Sequence, residues 1–337
     1  MSILNPIEGT PAMNKRLFIN FGLIALATCS AGLQAQSSYP STSVRIIVPQ
    51  TAGGPSDVLG RLFGQKLSES LGKPVLVENK PGAGGNIGTD FVAKSKPDGL
   101  NLLVNISGIL AINQTLYKQL PFDAGRDLDG VARVVTSQLV LVAHPSFAPN
   151  NIAELVAAAK AAPPGSISYG SAGTGSPQHV GGELLNTKAG IKLNHIPYKG
   201  AVPALQDLLG GQIPLAIVGL PAVLQNMKSG KLKAIAVFGG KRSSIAPDIP
   251  TFVESGFSEI EMQLAYGIFV AKDTPRPIID RLNQELGAAL KAPDVRERLL
   301  TTGFEVAFSS PAEMDAYLRS EIIKWRPIVR DSGATAD

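Results

Sequence analysis

The chain has 337 residues and a formal net charge of +4, from 31 Lys and Arg against 27 Asp and Glu. That balance is too slight to argue for nucleic acid or a membrane surface as partner, and the basic residues are scattered without a run of five. The 35 glycines and 25 prolines are spread among apolar segments, which reads as a globular chain with many tight connections.

Lys15 and Arg16 precede an apolar run over residues 17–27, followed by Thr28, Cys29, Ser30, Ala31 and Gly32. This charged, apolar, small-residue layout is that of a secretory signal peptide over residues 1–35, cut after Ala35. The apolar run falls short of the ~20 residues that span a bilayer. Pro6, Glu8 and Pro11 are out of place ahead of the basic pair, which makes Met13 an alternative start. A second reading takes Leu26-Ala27-Thr28-Cys29 as a lipoprotein box with a lipid on Cys29; Thr28 fits that box poorly. Without residues 1–35 the chain keeps 29 basic and 26 acidic residues and no cysteine, so disulfide and thiolate chemistry are not expected. The periplasm is the expected location, and the mature length suggests two domains of ~100–200 residues each.

The predicted elements alternate. Residues 44–48 form a short β-branched strand ended by Pro49. A glycine-rich stretch then opens an amphipathic helix over 58–71, with Ser56 or Asp57 as its cap. A strand at 75–78, a glycine-rich loop at 81–88, a helix at 89–94 and a strand at 100–104 follow. Further strands are expected at 134–135 and 139–143, a helix at 152–161 and a strand at 168–169. The loop 170–176 opens a helix at 177–188, whose Pro177 suits a first turn. Then come a strand at 195–198, a helix at 204–209, a strand at 215–218, a helix opened by Gly219-Leu220-Pro221, strands at 233–237 and 266–271, and helices at 277–291 and 311–330. This alternation argues for an α/β fold with mainly parallel sheets.

Two junctions carry the chemistry, residues 51–57 and 170–176. Each follows a strand and starts a helix, so free backbone N–H groups and the positive end of the helix dipole converge, which suits an anion. Glycines admit a ligand to the backbone, Ser and Thr add donors, and neither loop contains Lys or Arg. A carboxylate held by neutral donors is released without breaking a buried charge pair. Ordinary tight turns are the plain alternative for either loop; two of them in separate halves of an exported chain favour the anion.

Rival chemistry is thinly supported. Gly82-Ala83-Gly84-Gly85-Asn86-Ile87-Gly88 approaches a dinucleotide fingerprint, but Asp98 and Asp123 are poorly placed as the ribose acid, and the loop reads as structural. No G-K-[ST], G-x-S-x-G, H-E-x-x-H or C-x-x-C occurs, and His144, His179 and His195 are far apart. No catalytic residue, metal or cofactor is expected.

Several segments resemble the Bug family of extracytoplasmic solute receptors, which serve tripartite tricarboxylate transporters. They are Ile47-Val48-Pro49 before Ala52-Gly53-Gly54-Pro55-Ser56-Asp57; Val77-Glu78-Asn79-Lys80-Pro81-Gly82-Ala83-Gly84-Gly85-Asn86-Ile87-Gly88; Gly173-Thr174-Gly175-Ser176 with His179; Pro197-Tyr198-Lys199-Gly200 with Pro203-Ala204 and Asp207 to Gly211; and Pro247-Asp248-Ile249-Pro250-Thr251 with Glu254 and Gly256. The resemblance runs from about Tyr39 to Gly333.

It implies a two-lobed periplasmic-binding-protein fold of the Venus-flytrap, type II-like kind. Lobe 1 would be residues 36–140 plus 268–337 and lobe 2 residues 141–267, with crossings near 139–143 and 265–270. Carried over, the ligand contacts are Ala52, Gly53, Gly54, Ser56, Asp57 and Ser107 from one lobe, and Ser171, Ala172, Gly173, Thr174, Gly175, Ser176, His179 and Tyr198 from the other. The implied function is capture of a small carboxylate solute for the transporter's large and small membrane subunits; a sensor kinase is the alternative partner and a monomer the default state. Gln50 and Ala265 stand where the family often has aromatic residues, and Asn105 where it has glycine, so the distal pocket is altered.

Overall fold

The structure is a computed structural model that describes residues 1–3, 9 and 39–336. The expected export segment, its cut after Ala35 and Cys29 lie outside the described residues, as do most of residues 1–38.

From residue 42 onward the chain folds as α/β. Strand β1 (Val44–Val48) is buried except at Arg45 and stops at Pro49. Helix α1 (Pro55–Leu71) starts on a proline, where no N–H is missed, and ends at Gly72 with φ 66°. Then follow β2 (Val75–Asn79), a 3₁₀ turn at Ala83–Gly85, α2 (Asn86–Ala93), β3 (Asn101–Ile106), α3 (Ser107–Leu116), α4 (Ala124–Asp127) and the 16-residue β4 (Leu128–Ala143). The second part contains α5 (Ile152–Ala161), β5 (Ser168–Ser171), α6 (Pro177–Ala189), β6 (Asn194–Pro197), α7 (Ala201–Leu209), β7 (Leu215–Gly219), α8 (Leu220–Lys228) and β8 (Lys233–Val237). The chain finishes with β9 (Gln263–Ala271), α9 (Arg276–Lys291), α10 (Pro293–Thr301), β10 (Glu305–Val306) and α11 (Pro311–Ser332), the last opened by a Ser310–Glu313 capping box.

The strands run β2-β1-β3-β9-β4-β7-β5-β6, with β8 and β10 also pairing β4. Each wing is parallel, as the alternation predicts: β1 with β2 and β3, β5 with β6 and β7. The centre is antiparallel, because β4 and β9 run through it against their neighbours. Residues 128–138 of β4 pair with β9, and residues 139–143 pair with β7. Two lobes therefore share one strand. Each has its own core, Ile47, Leu103, Phe269 and Leu318 in one, Val140, Val142, Val218 and Leu224 in the other. Burying such a side chain fully is worth about 1.5–3 kcal/mol, so each core contributes to holding its own lobe.

Three local expectations change. Residues 134–135 and 139–143 belong to one strand that begins at Leu128. Its polar start is satisfied from outside: Gly130 N–H donates to Asp315 Oδ1 at 2.7 Å, and Lys272 pairs with Asp129 at 2.6 Å. Helices α3 and α10 were not anticipated by the apolar pattern. The N-cap of α1 is Gly54, with Ser56 and Asp57 inside the first turn.

Behind the loop after β5 lies a packed aromatic group. Tyr169 is fully buried and donates to Glu183 Oε1 at 2.8 Å; a Cβ on Gly182 would overlap its ring, so α6 rests directly on it. His179 of α6 and His195 of β6 stack with centroids 4.0 Å apart and planes 15° from parallel. Burial, with His179 adding to it, pushes the His195 imidazole down to about 3, and burial lowers His179 too. Both rings are neutral in the fold, which lets them stack without repulsion. In the unfolded chain they titrate near ~6.5. The folded state then refuses protons that the unfolded chain takes up, so stability is unaffected above ~6.5 and falls as pH drops from there towards 3. Urea unfolding from pH 7 to pH 4 should show this loss, at most ~1.4 kcal/mol per pH unit for His195 before discounting for its partial exposure. His195→Gln should give a shallower slope; an unchanged slope would mean that the pair does not set it.

Candidate functional site

The junctions after β1 and β5 face one cavity of about 580 Å³ between the lobes, a size suited to a small molecule. A larger groove of about 700 Å³ runs beside Arg45, Phe91 and Lys94, but it sits at the N-terminal ends of β1 and β3. Ligands of open α/β sheets bind at the carboxyl ends of the strands, which is where the cleft lies.

The first junction lends the cleft Pro49, Gln50, Thr51, Gly54, Pro55 and Ser56. Its backbone is braced from within. Asp57 accepts from Gly53 N–H at 2.9 Å, from Arg61 Nε at 2.9 Å and from Asn79 Nδ2 at 3.0 Å. Burial opposes its charge, but the bonds from Arg61, Gly53 and Asn79 outweigh burial and hold the carboxyl below the usual range. Gly54 N–H in turn points to Thr51 O at 3.4 Å. What faces the cavity is Ser56 in the first turn of α1, together with Thr51, whose buried hydroxyl has no partner.

The second junction follows the same plan with neutral braces. Ser171 Oγ accepts from Gly173 N–H at 3.0 Å and lies 2.6 Å from His195 Nε2. Ser176 donates to Gly173 O at 2.6 Å and caps α6 by accepting from His179 N–H at 3.2 Å. Gly175 N–H points at His179 Nδ1 at 3.4 Å. Gly173 sits at φ 117°, and a Cβ there would come within 2.7 Å of Tyr198 O, so only glycine fits. Ala172, Gly173, Thr174, Ser176 and Gln178 line the cavity, where the first turn of α6 directs its N–H groups. Tyr198 lines it with its ring while its hydroxyl donates to Asp207 Oδ2 at 2.6 Å; burial and that carboxylate raise it to about 12.

Of the residues proposed from sequence, the cleft wall gathers Gly54, Ser56, Ala172, Gly173, Thr174, Ser176 and Tyr198. Ala52, Gly53, Asp57, Ser171, Gly175 and His179 stand behind it, the last four holding the loops in shape. Ser107 opens α3 one residue beyond the lining Ile106, with its buried hydroxyl unpartnered. Sequence reading gave the 81–85 loop a structural role, yet Pro81 to Gly85 form part of the wall. Its run of glycines after a strand was the same signal that marked the other two junctions. Lys199 is the only Lys, Arg, His, Asp or Glu lining the cavity among the described residues.

The lobes touch across the cleft. Gly200 packs against the Thr51 side chain so closely that a Cβ would overlap it. A Cβ on Gly84 would reach 2.8 Å from Thr174 O, and one on Gly175 2.7 Å from Asn113 Oδ1. The two walls of the cavity are therefore in close contact at these points.

Residues 59–334 match the family described as the tripartite tricarboxylate transporter family receptor. The chain is 36% identical to the protein BugT of Bordetella pertussis over 316 residues, covering 93% of this chain and 97% of that one. It is similar to the solved periplasmic binding protein BugD, at 36% identity and a TM-score of 0.83, over 88% of this chain and 99% of that one. An R. palustris protein solved with adipate matches at 30% identity and a TM-score of 0.84, over 88% of this chain and 99% of that one. With two glycine junctions converging on an interlobe cavity, and with matches of this length, the chain belongs to the tripartite tricarboxylate transporter receptor family of solute-binding proteins.

Proposed function

We propose that the cleft captures a small carboxylate-bearing solute and hands it on unchanged. The observation that carries this is the meeting of two helix N-termini and one cation, Lys199, at a cavity with no acidic side chain among the described residues of its wall. The similar R. palustris protein holds adipate, a carboxylate, which supports the same ligand class here. The carboxylate would meet the first-turn N–H groups of α1 and α6, the hydroxyls of Ser56 and Thr51, and Lys199. Asp57, Ser171, Ser176 and His179 would keep the loops in register.

The remaining reading extends this proposal, and the family match supports its periplasmic place and its membrane partners. The chain acts after export to the periplasm, as a monomer and without catalysis, and delivers its ligand to large and small membrane subunits. No helix among the described residues is long and apolar enough to cross a membrane. Residues 36–140 with 268–337, and 141–267, are the proposed lobes, hinged where β4 changes partners and where the chain enters β9.

Titration calorimetry with succinate, adipate, malate and benzoate should give at least one dissociation constant in the micromolar range or tighter, with the acid recovered intact. Binding of a sugar or nucleotide but of no acid would overturn the reading, and turnover of an acid would make the protein an enzyme.

Closure gives a second expectation. Gly84 is left-handed at φ 62°, so alanine there costs about 1–2 kcal/mol of backbone strain, and Tyr117 can swing aside. Thr174 O on the facing lobe cannot be avoided while the cleft is shut. Gly84→Ala should weaken acid binding by about 10-fold or more while the protein stays folded, because a ligand favours closure only through contacts made in the closed state. Wild-type affinity in Gly84→Ala would show that closure is not required.

A further inference from the structure

The wall of the cleft contains an amide whose orientation is fixed by its neighbours. Thr89 donates its hydroxyl to Gly85 O at 2.8 Å, so its oxygen accepts from Asn105 Nδ2 at 3.1 Å. Asn105 Oδ1 accepts the Ile106 N–H at 2.8 Å, and Asn105 and Thr89 are both buried. With Asn105 set this way, Gln50 presents its Nε2 to Asn105 Oδ1 at 3.0 Å. The Gln50 amide cannot be turned over without placing two carbonyl oxygens against each other. Its Oε1 is therefore an acceptor, buried and without a partner, on a residue that lines the cleft beside Pro49 and Ile109.

A buried acceptor without a partner selects for a donor and repels a carboxylate. An ammonium would bring a positive charge into a cleft that has no acidic side chain among the described residues of its wall and already contains Lys199. A neutral hydroxyl satisfies the oxygen without that cost. Resting on the carboxylate reading above, we infer that Gln50 makes the protein selective for a hydroxylated acid, whose O–H donates to Gln50 Oε1 while its carboxylate sits between the helix N-termini. The opposite lobe offers a similar group, since Gln178 is 4% exposed, lines the cleft and has a buried Oε1 with no partner.

The test is calorimetry on matched acids that differ by one hydroxyl: succinate and malate, adipate and 3-hydroxyadipate, benzoate and its 3- and 4-hydroxy forms. In at least one pair the hydroxylated acid should bind about 10- to 100-fold more tightly, the effect of leaving a buried acceptor unpaired. Gln50→Leu should bring the two members of that pair to within about threefold, chiefly by weakening the hydroxylated acid. Equal or tighter binding of the unsubstituted acid in every pair that binds overturns the inference and leaves the carboxylate reading intact. So does a preference that survives Gln50→Leu. If no acid of either kind binds, the carboxylate reading itself fails and this inference falls with it. The wild-type comparison alone decides the matter should Gln50→Leu not fold.

Discussion

Strand β4 is built into both half-sheets, pairing with β9 along residues 128–138 and with β7 and β8 beyond. Because a single strand leaves one sheet as it enters the other, the carboxyl ends of β1 and β5 are brought to the same cavity. The helices that follow, α1 and α6, begin there, so their dipoles reinforce each other across the gap. Neither lobe closes the site alone. The register shift between Leu141 and Val142 loosens the pairing of β4 with β8 close to the point where the strand changes sheets.

The chemistry of the wall is correspondingly sparing in charge. Neutral hydroxyls, amides and backbone groups dominate, and ionised groups are kept behind the loops or at the rim. The histidines follow the same rule: stacked, buried and held neutral, they shape the 170–176 loop without adding a charge to it. A site of this kind favours a ligand through many modest contacts formed together on closing, so both retention and release depend on lobe movement.

Much of this was legible in the sequence, because it depends on local patterns. The β-branched run 44–48 and the alternation that follows gave the parallel wings. Gly53, Gly54, Gly173 and Gly175 next to strand ends marked the two junctions. The antiparallel centre was not legible, since pairing of β4 with β9 is a long-range choice and Asp129 and Arg133 masked the start of the strand. Nor was the split of the site into wall and brace. Asp57, Ser171 and His179 share motifs with Ser56, Thr174 and Gln178, and only hydrogen-bond partners at three-dimensional distance separate the two sets. Gln50 stood out in sequence as a departure from an aromatic residue, but its meaning lies in the chain of bonds through Asn105 and Thr89.

Asp57 makes the two halves of the clamp unequal in charge. The first junction already contains an anion of its own, tied to Gly53 N–H and Arg61, so part of its donor capacity is used before any solute arrives. The second junction contains no ionised group of this kind; its Gly173, Gly175 and His179 N–H groups meet Ser171 Oγ, His179 Nδ1 and Ser176 Oγ instead. The two junctions therefore differ in charge: α1 begins over a buried carboxylate, and α6 begins over neutral hydroxyl, imidazole and backbone groups. The internal carboxylate also keeps the first loop folded while the cleft stands empty, so little ordering entropy is spent when it finally engages.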